Sequence, residues 1–246
     1  MIDRLAPRRR PSGCPVLHQR WSRLLFLHSR VALDEIRPLV PATLDLDLFE
    51  GAAWVSVVAF TVSRMRLTLL PPIPGLSDAH QINVRTYVHR DGVPGLWFFS
   101  LDANNPLAVW AARLGYRLAY FHARMHVVED ARSVAFLCER TDVKAAKATF
   151  DAAWQLGDTL PTPRAGTLDA FLLERYVLYS GTNDRLLRTR IHHPPWPLRR
   201  PTLRRLASTM LQAQGLSRQP DPLLTHAQAT PFDVAIWPPA QAIAQR

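Results

Sequence analysis

Lysine is close to absent from this chain: Lys144 and Lys147 stand against 28 arginines. Both lie in RTDVKAAKATF, a polar connection where two ammonium groups read as solvated surface charges, because lysine is almost never buried unpaired. Cysteine is as scarce. Cys14 and Cys138 are far apart and form no CxxC pair, which argues against a disulfide framework or a thiolate zinc site and points to a reducing cytoplasm. No apolar run approaches the roughly 18 to 20 residues of a membrane helix. MIDRLAPRRRPSG carries charge but not the apolar centre of a secretory signal, so a soluble protein is expected. No GxSxG, GxGxxG or GxxxxGKS/T string occurs, which weighs against α/β-hydrolase, dinucleotide and phosphate-loop chemistry. His122 and His126 share a strand face and His192 and His193 are adjacent, but no HExxH and no carboxylate at ligand spacing joins them. Neither a metal nor another cofactor is expected, and no period of about 20 to 50 residues suggests repeats.

What the chain does have is apolar bulk and positive charge. At 246 residues and 48% hydrophobic it can bury one sizeable core, in a single domain of barrel or sandwich size. Seven Trp and ten Phe suit packed sheets or an aromatic-lined cavity. The formal charge of +10 would suit an acidic partner, yet the arginines are scattered, with tight runs only at Arg8–Arg10 and at Arg199-Arg200 and Arg204-Arg205. No RNA-binding aromatic motif accompanies them. A charge-driven role on nucleic acid or at a membrane surface therefore ranks last, and neither partner is expected.

Residues 1–16, with Pro7, Pro11, Pro15 and three adjacent arginines, read as a disordered basic arm ahead of one domain over 17–246. The domain reads mostly as hairpins. Trp21–Val31 alternates as a strand, Leu33–Val40 is a short helical piece stopped by Pro41, and Asp45–Glu50 pairs with Ala53–Val62 about Glu50-Gly51. Tyr120–Val128 with Ser133–Glu139, and Tyr176–Ser180 with Leu186–His192, make further hairpins, and Ala148–Leu156 is another strand. Leu70-Pro71-Pro72-Ile73-Pro74-Gly75 is a stiff connection suited to sit over a cavity mouth. Helices are expected at Pro106–Gly115, at Thr167–Arg175 with Thr167 as cap, and along a stripe of Leu203, Leu206, Ala207, Met210 and Leu211 ended by Gly215. Short strands near Leu223–Ala227 and Val234–Trp237 close the chain. Many hairpins, few helices and no βαβ alternation give an α+β class, mainly antiparallel β, with the sheet closed or doubled to hide its edges.

Chemistry concentrates between Gln81 and Tyr120. In the strand Gln81–Val88, Ile82, Val84 and Val88 share one face, and Gln81, Asn83, Arg85 and Tyr87 the other. A turn with Asp91-Gly92 and a second glycine for positive φ, Gly95, leads to Leu96–Leu101, apolar on both faces. An arginine and two amides on one side of a buried hairpin need a use or a partner. Arg85 offers a bidentate fork to a carboxylate or phosphate, or else pairs with Asp102 on the neighbouring strand. Tyr116 and Tyr120 carry hydroxyls toward the same region or serve as core aromatics. Arg175 complements the end of its helix.

NVRTYV, then WFFSLDA, then an alanine/arginine helix leading to Tyr116 and Tyr120, resembles the uncharacterised YqjF-like family of the acetoacetate decarboxylase-like superfamily. PATLDLDLFEGAAWVSVVAF at Pro41–Phe60, GTLDAFLLERYVLYS at Gly166–Ser180 and HHPPWPL at His192–Leu198 extend the likeness in the same order, from about Trp21 to Pro238. The resemblance implies an acetoacetate decarboxylase-like closed β-barrel with a few helices packed outside and a central cavity. It also marks two departures. The decarboxylases place a Schiff-base lysine in a Pro-Lys-Lys context after this hairpin, where the chain reads Gly115-Tyr116-Arg117-Leu118-Ala119-Tyr120. In the family pattern a glutamate precedes NVRTYV, where this chain has Gln81, which has no titratable proton. The expected function is the binding of a small organic anion by Gln81, Asn83, Arg85, Asp102, Tyr116 and Tyr120, without Schiff-base chemistry and with no catalytic residue assigned. The alternative is an enzyme on keto or enoyl acids, of decarboxylase or aldolase-dehydratase type, working through Arg85, Tyr116 and Tyr120.

Overall fold

The computed structural model describes residues 2–4, 6–75, 77–107, 109–110, 118–217, 224–228 and 230–242. Its strands are β1 (Leu17–Val31), β2 (Asp45–Leu46), β3 (Ala53–Leu67), β4 (Ala79–Arg90), β5 (Val93–Ala103), β6 (Tyr120–Glu129) and β7 (Ser133–Arg140). There follow β8 (Thr149–Thr159), β9 (Val177–Gly181), β10 (Leu186–His192), β11 (Leu198–Ser208), β12 (Leu224–Gln228), β13 (Phe232–Ile236) and β14 (Ala240–Gln241). Two short helices are described from end to end, α1 (Leu33–Ile36) and α2 (Leu168–Leu173). The Thr167 hydroxyl caps α2 by accepting from the Ala170 N–H. No helix among the described residues is long and apolar enough to cross a membrane.

The strands belong to one sheet, and β1 and β5 are the strands at which its two long paths diverge. β1 pairs with β3 along one edge, while its other edge is shared: Leu17–Trp21 meets β13 and Leu25–His28 meets β12. β5 repeats the arrangement, with β4 on one edge and, on the other, β9 at Leu96–Trp97 and β6 at Leu101–Ala103. A bulge sits at each fork, at Arg23 (φ 53°) in β1 and at Phe99 in β5. An extra residue bends and twists its strand, so one strand can serve two diverging partners. The pairings β1–β3–β4–β5–β9–β10–β13 return to β1, tracing a ring of strands. A second path from β5 through β6, β7, β8, β11 and β12 also returns to β1. All these pairings are antiparallel except β5 with β6 and with β9.

The wall β1–β3–β4–β5 is therefore common to both rings and apolar on both faces. Leu25, Val57, Ile82 and Val84 pack with Phe136, Phe150 and Trp154 on one side. Leu24, Val58, Phe60, Leu96 and Phe98 pack with Phe171 and Trp196 on the other. This two-sided burial is why Ala53–Val62 is a near-continuous apolar run.

Four expectations need correction. The Glu50-Gly51 turn exists, but β2 pairs with β4 at His89 and Val88 rather than with β3. The β4–β5 turn is Asp91-Gly92 alone, with φ 50° and 76°. Gly95 is not at positive φ; a Cβ there would lie 2.6 Å from Tyr179 Cε2 and 2.9 Å from Val177 O, so its role is the close approach of β9. The stripe at Leu203–Leu211 is not a helix: 198–208 is β11, paired with β8. A bulge between Leu203 and Arg205 sets Leu203 opposite Trp154 and Leu206 opposite Ala152, so residues three apart share a face and imitate helical spacing.

Residues 106, 107, 109 and 110 are helical; 108 and 111–117 lie outside the described residues. The arm read as disordered makes defined contacts. Arg4 pairs with Asp47, Arg8 Nε lies 3.1 Å from Glu174 Oε2, and Trp237 Nε1 donates to the Ser12 carbonyl at 3.1 Å.

Candidate functional site

Between the β1–β3–β4–β5 wall and strands β9, β10 and β13 lies a cavity of about 540 Å³. Gln81, Asn83 and Arg85 line it from alternate positions of β4, and Leu96, Phe98 and Leu101 from β5. The spacing from Phe98 to Leu101 is three residues because the Phe99 bulge intervenes. The same bulge disposes of Asp102. Without it, Asp102 would share the face of Phe98; with it, Asp102 turns to the opposite side, where Arg140 Nε and Nη2 donate to its two oxygens at 2.6 and 2.8 Å. Asp102 is thus neither a cavity residue nor the partner of Arg85. Burial raises its pKa against the lowering effect of Arg140.

Arg85 is only 7% exposed. Its guanidinium lies 5.5 Å from the centre of the Phe26 ring, and the neighbouring Tyr87 side chain favours its charged form. Among the described residues no carboxylate pairs with it, and its Nε is buried without a partner. Burial lowers its pKa first, and the charge of Arg175 adds to this. An arginine nevertheless stays protonated in a protein.

Arg175 also lines the cavity. Its Nε donates to the Phe171 carbonyl at 2.6 Å, closing the end of α2 as expected, while Nη1 donates to Asp47 Oδ2 at 2.6 Å. Of the two buried arginines lining the cavity, Arg175 is paired with Asp47, which it shares with Arg4, and Arg85 is paired with no carboxylate among the described residues.

Beneath Arg85 lies a polar network. Tyr87 Oη donates to the Leu172 carbonyl at 3.2 Å and sits 2.6 Å from Ser56 Oγ, which is 2.7 Å from His28 Nδ1. Burial pushes the His28 pKa well below its usual range and the Tyr87 pKa up, so both are neutral near pH 7. His28, Ser56 and the cavity-lining role of Arg175 escaped the sequence reading. The available signal was His28 two residues after Phe26 on an alternating strand, and Ser56 two before Val58, each a polar residue on an otherwise apolar face.

Of the residues expected at the site, Gln81, Asn83, Arg85 and Tyr120 come together around the cavity, and Tyr120 Oη donates to Gln81 Oε1 at 3.2 Å. Tyr116 lies outside the described residues. The connection at 70–75 does border the opening, through Leu70, Pro71 and Ile73. Lys144 and Lys147 are both exposed and line no part of the cavity.

Comparison with known proteins agrees with this architecture. The model of the DUF2071 family, described as an uncharacterized conserved protein, matches residues 18–231. The uncharacterized protein YqjF of Bacillus subtilis (strain 168) is 37% identical over 229 residues, 93% of either chain. Among solved structures, the enduracididine biosynthesis enzyme MppR, complexed with the condensation product of pyruvate and imidazole 4-carboxaldehyde, aligns with a TM-score of 0.64. That alignment has 13% identity and covers 93% of this chain and 90% of that one. An acetoacetate decarboxylase-like enzyme from Sphingomonas wittichii RW1 aligns with the same TM-score at 11% identity, over 95% of each chain. Identities this low establish an acetoacetate decarboxylase-like fold and nothing about chemistry.

Proposed function

The chain belongs to the DUF2071 family of uncharacterized conserved proteins, and we propose that it holds a small organic anion in the cavity, on Arg85, without lysine chemistry. The observation that carries this reading is Arg85 itself: a cation 7% exposed, facing a cavity, with no carboxylate partner among the described residues. A guanidinium removed from water costs several kcal/mol in effect unless an anion offsets it. A ligand carboxylate does so, and its planar oxygens match the guanidinium fork. Gln81 and Asn83 add amide groups on the same side. In this reading the ring of strands closes as a barrel around the ligand, and the protein works in the reducing cytoplasm with no nucleic-acid partner. The pyruvate-derived ligand named for MppR, which shares the fold, supports a small carboxylate as the kind of ligand held.

The second reading, an enzyme on keto or enoyl acids through Arg85 and Tyr120, draws on the enzymes that share the fold. Against it, no Asp or Glu lines the cavity among the described residues, and Gln81 cannot shuttle a proton. The test is a thermal-shift screen with acetate, pyruvate, acetoacetate and benzoate. A carboxylate that binds should raise the midpoint with the logarithm of its concentration, and Arg85→Met should abolish the rise. No stabilisation by any carboxylate would sink the anion reading, and turnover of acetoacetate would favour the second.

A further inference from the structure

The cavity is polarised along its length. β4 begins at Ala79, next to the connection 68–78, and Gln81, Asn83 and Arg85 step inward from that end. Arg85 stands six residues into the strand, about 20 Å at 3.4 Å per residue. The buried charges of the lining, Arg85 and Arg175, sit at this inner end, with Phe98 directly across the sheet from Arg85. The middle is walled by Trp21, Phe60 and Trp196. The outer end is formed by Leu67, Leu70, Ile73, Leu107 and Trp110, which line the cavity and yet are 54 to 63% exposed. Three polar residues stand near this end. Gln19 is occupied by Trp21 Nε1 at 2.7 Å, Ser77 Oγ accepts from the Ile73 N–H at 2.6 Å, and Arg66 is half-exposed, so its charge can stay in water.

From this gradient, and resting on the anion reading, we infer that the ligand is an amphiphilic carboxylate: a carboxylate on Arg85 with an unbranched or aromatic apolar tail running outward to the mouth. A headgroup alone would leave most of the aromatic wall without contacts, whereas a tail covers it and the exposed leucines at the opening. Arg175 already holds Asp47, which it shares with Arg4, so among the described residues Arg85 is the buried lining cation with no carboxylate of its own and is where the ligand carboxylate is placed.

The probes are straight-chain carboxylates from acetate to decanoate, with the matching primary alcohols, titrated calorimetrically into the full-length protein. Affinity should rise about fourfold per added methylene, which is ~0.8 kcal/mol for each buried CH₂. It should level off once the tail reaches the mouth, and each alcohol should bind at least tenfold more weakly than its acid. The double variant Ile73→Glu/Leu107→Glu, at exposed positions that leave the core untouched, should weaken octanoate at least tenfold and acetate hardly at all. If acetate or pyruvate binds and lengthening brings no gain, the amphiphile inference is wrong while the anion reading stands. If no carboxylate binds at any length, or alcohols bind as well as acids, the anion reading falls with it.

Discussion

Replacing Arg85 by methionine should leave the ligand-free protein as stable as before, or more stable. Most buried arginines behave in the opposite way, and Arg140 in the same chain is the internal control. Its Nε and Nη2 hold both oxygens of Asp102, a residue 0% exposed, so Arg140→Met strands a buried carboxylate and should cost about 3 to 5 kcal/mol. Arg85 has no such partner among the described residues. Its removal forfeits the contact with the Phe26 face, worth about 0.5 to 2 kcal/mol, and a polar interaction with the neighbouring Tyr87, worth about 1 kcal/mol at most. Against these stands relief of the desolvation of a lone cation, several kcal/mol in effect. The balance is a change of about 0 to 2 kcal/mol toward greater stability. Urea denaturation of wild type, R85M and R140M without ligand, at pH 7.5 and with unchanged m-values, measures it. If R85M loses about 3 kcal/mol or more without ligand, a figure typical of a broken buried pair, then Arg85 has its counter-charge within the protein, and the argument toward a ligand fails. Carboxylate affinity should fall roughly 10- to 100-fold in R85M, the range expected for hydrogen bonds to a charged group.

Burial holds His193 at about 4, against 6.5 in the unfolded chain, so it is neutral in the folded protein and protonates on unfolding. Stability should therefore decline as pH falls from about 6.5 toward 4, by at most about 1.4 kcal/mol per pH unit from this group, and His193→Phe should remove that share of the slope in urea midpoints taken between pH 7.5 and 4.5. Gly95→Ala places a methyl 2.6 Å from Tyr179 Cε2 and should cost about 1 to 3 kcal/mol by overpacking, a loss that chemical denaturation would detect. Incubation with acetoacetate and borohydride should give no covalent adduct by intact mass, because both lysines are exposed and far from a desolvating environment; a stoichiometric adduct on Lys144 or Lys147 would refute this.

Much of the site was legible because alternation within one strand is a local property. Gln81, Asn83 and Arg85 had to share a face of β4 whatever lay opposite, and they do. Asp102 was misplaced for an equally specific reason. Its side depends on the Phe99 bulge, and that bulge belongs to the place where β5 changes partner from β9 to β6. The Leu203–Leu211 stripe failed in the same way, since the bulge against β8 counterfeits a helical period. Arg175 was recognised as a helix terminator from its position, but its seat in the cavity depends on Asp47, 128 residues away.

By itself, then, the sequence determined the strand-rich class, the family, the shortage of lysine and the inward row on β4, all of which follow from residue type and spacing along a few consecutive positions. Tertiary structure alone decided which arginine has a carboxylate and which lacks one. Charge pairing and strand partnership are made between segments distant in the chain, and in a sheet that forks at β1 and β5 the phase of each face is set by bulges at the forks. One inserted residue turns a carboxylate from the cavity to the far side of the wall, and so leaves Arg85 without a carboxylate partner among the described residues.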